Sequence, residues 1–172
     1  MICMILGTPD SGKSKKAEDL TLKISGNDKK YYIATMIPFG KEGEERVKKH
    51  RNMRAGKGFE TIECPVRVNE VIEKIDDSKN ATCLLECMSN LVGNELHDPG
   101  RDKNNCSDEK ISEYIVDSVM ELAGAVKNLV IVSNSFPLEG EGYDDDTRRY
   151  VKVIDIVNNM LKQRVDEFYE LT

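Results

Sequence analysis

The eight residues "GTPDSGKS", Gly7 to Ser14, have the types and spacing of G-x-x-x-x-G-K-[ST], a loop that cradles phosphate. Gly7 and Gly12 let the backbone curl, so that the amides of Thr8, Pro9's neighbours, Asp10 and Ser11 can turn toward phosphate oxygens. Lys13 brings a point charge to the β- and γ-phosphates, and Ser14 offers a hydroxyl to Mg²⁺. The segment that follows, "KSKKAEDLTLKI", reads as an amphipathic helix whose positive dipole end faces the same anion. The apolar run "MICMIL" before the loop supplies the strand that such a loop needs. The ligand expected from this loop is the phosphate chain of a nucleotide, with Mg²⁺.

Two more positions could carry chemistry. Glu86 ends the apolar run "CLLE". A carboxylate at a strand end beside a phosphate loop can hold Mg²⁺ directly or through water, or polarise a nucleophile; it could equally cap a helix starting near Ser89. His50 lies in "ERVKKHRNMR", among Arg46, Lys48, Lys49, Arg51 and Arg54. On a helix Arg46 and His50 are i, i+4 neighbours on one face. Surrounding cations favour a neutral, nucleophilic imidazole and would neutralise a triphosphate. Such an imidazole attacking an α-phosphate forms a phosphoramidate, which splits one transfer into two. The alternative is a solvated basic helix with a bystander histidine. The other histidine, His97, sits in the Pro/Gly/Asn-rich "NELHDPGRDKNN" and reads as an exposed loop residue.

The elements that must position these groups alternate along the chain. "ICMIL", "YYIAT" (31–35), "ATCLLEC" (81–87) and "LVIVSN" (129–134) read as buried strands, with "FETIEC" (59–64) a weaker fifth. Between them, "VRVNEVIEKI" places Val68, Val71, Ile72 and Ile75 on one helical face. Ile111, Ile115, Val119, Leu122 and Val126 do the same in a helix opened by Ser107 as N-cap. A last helix follows "DDDT" with Tyr150, Val153, Ile154, Val157 and Leu161 inward, and "DEFYELT" reads as a short edge strand. The alternation predicts an α/β fold with a mostly parallel central sheet and helices on both faces, a three-layer P-loop NTPase arrangement. Ligands then gather at the C-terminal strand ends, where Thr35, Glu86, Ser133 and Asn134 stand.

The length of 172 residues suits one domain, 1–172. A net charge of −6 argues against a nucleic-acid partner, which usually meets a basic face. Five scattered cysteines include no C-x-x-C pair, so neither a zinc knuckle nor a redox dithiol is indicated. Cys3 and Cys83 fall inside apolar runs and read as small buried hydrophobes. A reducing cytoplasm is expected. "MICMIL" lacks the flank of a signal peptide and nothing approaches a membrane span.

Taken together, the motifs resemble the bifunctional adenosylcobinamide kinase/adenosylcobinamide-phosphate guanylyltransferase family of cobalamin biosynthesis. The resemblance runs through "GTPDSGKS", "YIAT" (32–35), "RVKKH" (46–50) with Arg54 and "FETIE", "LLECMSNLVGNEL" (84–96), "VIVSN" (130–134) and "VNNML" (157–161). It implies a RecA-like fold and a two-step enzyme. ATP or GTP phosphorylates the aminopropanol hydroxyl of adenosylcobinamide, and GMP then passes from GTP through a histidine to that phosphate. The resemblance matches the nucleophile to His50, the phosphate loop to Gly7–Ser14 and the acidic strand end to Glu86. Thr35, Arg46, Arg54 and Glu63 fall in its nucleotide-binding motifs, and a homo-oligomer, a trimer, is the assembly it implies. The chain departs from the pattern at Ser135 (usually acidic), Pro137 (usually glycine), Phe59 (usually tryptophan) and Asp155 (usually glycine), and it stops at "YELT", short of the family's last strand segment. The alternative reading is a divergent P-loop kinase of another small hydroxyl substrate, or a relative with one activity lost.

Overall fold

In each central strand successive residues belong to two different cores, which is what a sheet covered on both faces requires. Tyr31 and Ile33, Cys83 and Leu85, and Leu129 and Ile131 point to one side with Met4; Tyr32, Leu84, Val130, Val132, Cys3 and Ile5 point to the other. The computed structural model describes residues 1–37, 40–100 and 106–172. Its strands are β1 (Ile2–Gly7), β2 (Lys30–Ala34), β3 (Phe59–Glu63), β4 (Thr82–Glu86), β5 (Asn128–Asn134) and β6 (Glu167–Leu171). They form one sheet in the order β3-β2-β4-β5-β1-β6, and every pairing is parallel. The weak fifth strand and the final edge strand of the sequence reading are thus the two edges.

The helices are α1 (Lys13–Ser25), α2 (Gly40–Arg54), α3 (Met88–Leu96), α4 (Asp108–Ala125) and α5 (Asp145–Lys162). Ala17, Leu20 and Ile24 of α1 pack on the Tyr32/Leu84/Val130 face. Residues of α3, α4 and α5 cover the opposite face through Leu91, Ile115, Leu122, Val153 and Val157. The caps follow the sequence: the Ser107 hydroxyl accepts from the Lys110 amide at 3.2 Å, and the Asp144 carboxylate accepts from the Thr147 amide at 2.7 Å. The last helix therefore begins within "DDDT" rather than after it.

One element differs in kind. The stretch 66–75, expected as an amphipathic α-helix, is a 3₁₀ helix over Val68–Lys74, entered through Arg67 in the left-handed region at φ 50°. Its apolar residues explain this, because Val68/Val71 and Ile72/Ile75 are spaced by three, the period at which 3₁₀ side chains align. The Asn69 amide donates to Ser118 Oγ of α4 at 3.2 Å and ties the turn down.

Cys3 and Cys83 are fully buried, and burial pushes their thiols up to about 11 and about 12, so both remain protonated small hydrophobes. No helix among the described residues is long and apolar enough to cross a membrane.

Leu84 stands at the centre of the α1-facing core, in register between Tyr32 and Val130. Leu84→Ala is expected to destabilise the fold by about 3 kcal/mol through the cavity left under α1, read as a lower denaturation midpoint at unchanged slope in urea.

Candidate nucleotide and phosphoryl-transfer site

The turn from β1 into α1 has the conformation its glycines allow. Gly12 takes φ 85° just before the first helical residue, and Asp10 also lies in the left-handed region at φ 62°. Gly7 is required by space, since a Cβ there would stand 2.4 Å from Ser11 Oγ and 3.0 Å from the Leu171 carbonyl oxygen. The Ser11 amide closes the loop onto the Thr8 carbonyl at 3.2 Å, and the buried Lys13 ammonium donates to the same oxygen at 3.2 Å. Ser11 Oγ is buried with no hydrogen-bond partner. The loop thus holds one cation and one unsatisfied hydroxyl where an anion is expected.

Strand parity aims Glu86 at this loop. Glu86 lies two residues beyond Leu84 in β4, so its side chain leaves the sheet on the α1 face. There Ser14, in the first turn of α1, donates to Glu86 Oε1, and Tyr32 of β2 donates to Oε2. The structure therefore brings Ser14 and Glu86 into direct contact. It removes the capping alternative: α3 starts at Met88 behind Cys87, and the Glu86 carboxylate points away from it.

Tyr32 was not among the residues singled out from sequence. It is 5% exposed, packed edge-on against Phe59 with ring centroids 6.4 Å apart. Burial, then the Glu86 charge, raises its phenol far above the usual range, so it stays a donor. The Arg54 guanidinium, from the last turn of α2, lies over the Tyr32 ring with Cζ 3.4 Å from the centroid. Arg54 is 6% exposed, and its Nε and Nη1 are buried without partners.

The neighbouring strand ends are locked by polar side chains. Thr35 Oγ1 accepts from the Cys87 amide at 2.9 Å and donates toward the Cys87 carbonyl at 2.8 Å. Asn94 of α3 donates to the Thr35 and Pro65 carbonyls at 2.7 and 2.9 Å, linking the ends of β2 and β3. Asn134, at the end of β5, donates to Ser89 Oγ at 2.7 Å and keeps a buried Oδ1 without a partner. Asn94 escaped the sequence reading because its partners are main-chain atoms.

The basic helix is set apart. Arg46 is exposed and His50 half-buried on α2, and His50 makes no hydrogen bond or ion pair among the described residues. Glu63 is exposed and takes an ion pair from Arg51 at 2.8 Å. Lys57, just past α2, reaches the buried Glu18 of α1 at 3.1 Å and anchors the turn. His97 is exposed at the end of α3, while residues 101–105 of its stretch lie outside the described residues. No group of three or more His, Cys, Asp or Glu side chains that could hold a metal occurs among the described residues.

The sequence profile of cobinamide kinase / cobinamide phosphate guanyltransferase matches residues 3–172. The chain belongs to this family. The bifunctional adenosylcobalamin biosynthesis protein CobU of Escherichia coli (strain K12) is 35% identical over 104 residues, 60% of this chain and 55% of that protein. The match thus spans little more than half the length of this curated relative. Among solved structures, the ATPase domain of G40P aligns with a TM-score of 0.57 at 15% identity, covering 99% of this chain and 69% of that one. The flagellar accessory protein FlaH from Methanocaldococcus jannaschii aligns with a TM-score of 0.51 at 11% identity, covering 98% and 70%. These likenesses show an α/β, RecA-like P-loop fold. Within the cobinamide kinase / cobinamide phosphate guanyltransferase family, this chain carries the phosphate loop and the strand-end carboxylate side by side.

The space around Gly7 yields a test. Gly7→Ala is expected to weaken GTP binding at least about tenfold, because Ser11 must move out of the loop, and to lower the melting temperature, because the new Cβ also crowds the Leu171 carbonyl of β6; calorimetric titration with GTP and a thermal melt measure the two effects.

Proposed function

We propose that this chain is an adenosylcobinamide kinase and adenosylcobinamide-phosphate guanylyltransferase, acting as one domain in the cytoplasm. The observation that carries the reading is the contact of Ser14 with Glu86 at the mouth of the phosphate loop, with Lys13 held in that loop. The loop amides of Gly7 to Ser14 and the Lys13 ammonium bind the β- and γ-phosphates of ATP or GTP. A hydroxyl and a carboxylate are a hard-oxygen pair of the kind Mg²⁺ accepts while keeping waters and phosphate oxygens as its other ligands, so Ser14 and Glu86 would hold it. When bound, Mg²⁺ neutralises charge on the transferring phosphoryl group. In the first step the aminopropanol hydroxyl of adenosylcobinamide attacks the γ-phosphorus and loses its proton to solvent; the bond to the β,γ-bridging oxygen breaks and the nucleoside diphosphate leaves with that electron pair.

In the second step an imidazole nitrogen of His50 attacks the α-phosphorus of GTP. The P–N bond forms, the bond to the bridging oxygen breaks, and pyrophosphate departs with that electron pair. The phosphate oxygen of adenosylcobinamide phosphate then attacks the same phosphorus, and the imidazole leaves. Arg46, Arg54 and the Thr35 strand end face the nucleotide, and so does Glu63 at the end of β3, which pairs with Arg51 of α2. Arg54 supports this reading because two of its nitrogens are buried without partners, as expected of a side chain that meets an anion. The working assembly is a homo-oligomer, a trimer, and neither nucleic acid nor membrane is a partner.

Lys13→Ala is expected to lose phosphoryl transfer and to weaken ATP and GTP binding; unchanged affinity and turnover would remove the loop from the reaction. With α-labelled GTP, wild-type protein should acquire label that is stable to base and released by mild acid, the behaviour of a phosphoramidate. His50→Ala should acquire none while keeping kinase turnover. Labelling of His50→Ala at the wild-type level would place the nucleophile elsewhere. Absence of label on folded wild type would mean that the chain performs the kinase step alone.

A further inference from the structure

Tyr32 touches both halves of the proposed site through two different parts of one side chain. Its hydroxyl donates to Glu86 Oε2, opposite the oxygen that Ser14 uses. Its ring face carries the Arg54 guanidinium at 3.4 Å, and that guanidinium makes no hydrogen bond or ion pair among the described residues. The ring itself cannot shift freely: it is 5% exposed, lies beside Leu84 in register, and meets Phe59 edge-on.

Each contact has a distinct consequence. Ser14 and Glu86 Oε1 are the pair that would hold Mg²⁺, and in doing so they would give up the hydrogen bond between them. The Tyr32 bond to Oε2 uses the other oxygen and would keep the carboxylate oriented, the task that partners of metal-binding carboxylates perform. The ring holds the Arg54 guanidinium, Cζ 3.4 Å from its centroid, without using its hydrogen bonds, so the buried Nε and Nη1 donors stay unpartnered, as a side chain awaiting phosphate oxygens requires. Lysine could not use the ring this way, because its ammonium would direct a donor into the face.

We propose that Tyr32 is the positioning residue shared by both reactions, its hydroxyl orienting the metal-binding Glu86 and its ring fixing the unpartnered Arg54 guanidinium for the nucleotide's phosphates. This rests on the function proposed above for Glu86 and Arg54, but its test reads binding and needs no turnover.

The experiment measures binding of a fluorescent GTP analogue against Mg²⁺ concentration and, separately, in EDTA. Tyr32→Phe keeps the ring and loses the hydroxyl. It should raise the Mg²⁺ concentration for half-maximal effect about tenfold, the usual cost of losing such a partner, and leave affinity in EDTA within about twofold. Tyr32→Leu should add a loss of about tenfold in EDTA, of the order expected for one desolvated cation–π contact. In an Arg54→Ala background that added loss should vanish, since the two changes remove the same interaction. Unchanged Mg²⁺ dependence in Tyr32→Phe, full affinity of Tyr32→Leu in EDTA, or losses that multiply in the double variant would each overturn the proposal. Should Tyr32→Leu not fold, Tyr32→Met fills the same space without a π face and serves for that arm. A failure of His50 labelling in wild type would overturn the transfer reading and leave these binding results standing.

Discussion

The Glu86 carboxylate between two hydroxyls is the constraint on which the rest of the site depends. It is a charged group at the end of a buried strand, and such a group is tolerated only where hydrogen bonds replace water. Ser14 and Tyr32 supply them from different elements, one in the first turn of α1 and one in β2. For both to arrive, β4 must pair with β2 in the observed register and β5 must separate β4 from β1. A slip of one residue in β4 would turn Glu86 to the face covered by α3, α4 and α5, and Leu84 with it. The same parity that builds two apolar cores thus points the acidic group at the phosphate loop.

The two parts of the proposed site differ in how firmly the fold holds them. The loop runs directly out of a central strand into α1, whose Ala17, Glu18, Thr21 and Ser25 are buried. The basic helix α2 exposes Arg46, Lys48 and Lys49 and buries Gly43 and Arg54. Among its described side chains Val47 is the one aliphatic residue and it is half-buried, whereas a helix of 15 residues gains most of its stability from apolar packing. Its C-terminal end is the part fastened to the body, through Arg54 on Tyr32 and through the Lys57–Glu18 ion pair just beyond. His50, one turn before Arg54, is therefore close to the fixed end, while Lys41, Glu42, Glu44, Glu45 and Arg46 of the first turns are exposed.

Much of this was legible in the sequence because it follows from local period and motif. The strands, the α4 and α5 stripes, the Ser107 cap and the glycine loop all declare themselves within short windows. The 3₁₀ helix was misread since Val68, Val71, Ile72 and Ile75 satisfy both a three-residue and a 3.6-residue period over so short a run. Tyr32 stayed hidden for another reason. In "YYIA" it looks like any aromatic strand residue, and its meaning comes from the pairing of β2 with β4, a contact 54 residues distant in sequence. Asn94, likewise, acts on carbonyls 29 and 59 residues away. Spacing within a motif can be read; partners across a sheet require the sheet order.

The departures after β5 bear on charge more than on architecture. The Ser135 amide donates to the Gly7 carbonyl at 3.0 Å, and the Pro137 carbonyl accepts from Tyr143 at 3.1 Å. Both anchors are main-chain groups, so they are available whichever side chain stands at 135 and without a glycine at 137. Asn134, the residue in common with the family pattern, is the one that uses its side chain, on Ser89. Serine where the resemblance expects an acidic residue changes the charge at 135, next to the Gly7 carbonyl, rather than the backbone bond. The start of the glycine loop keeps its attachment to the end of β5 whichever side chain stands at 135.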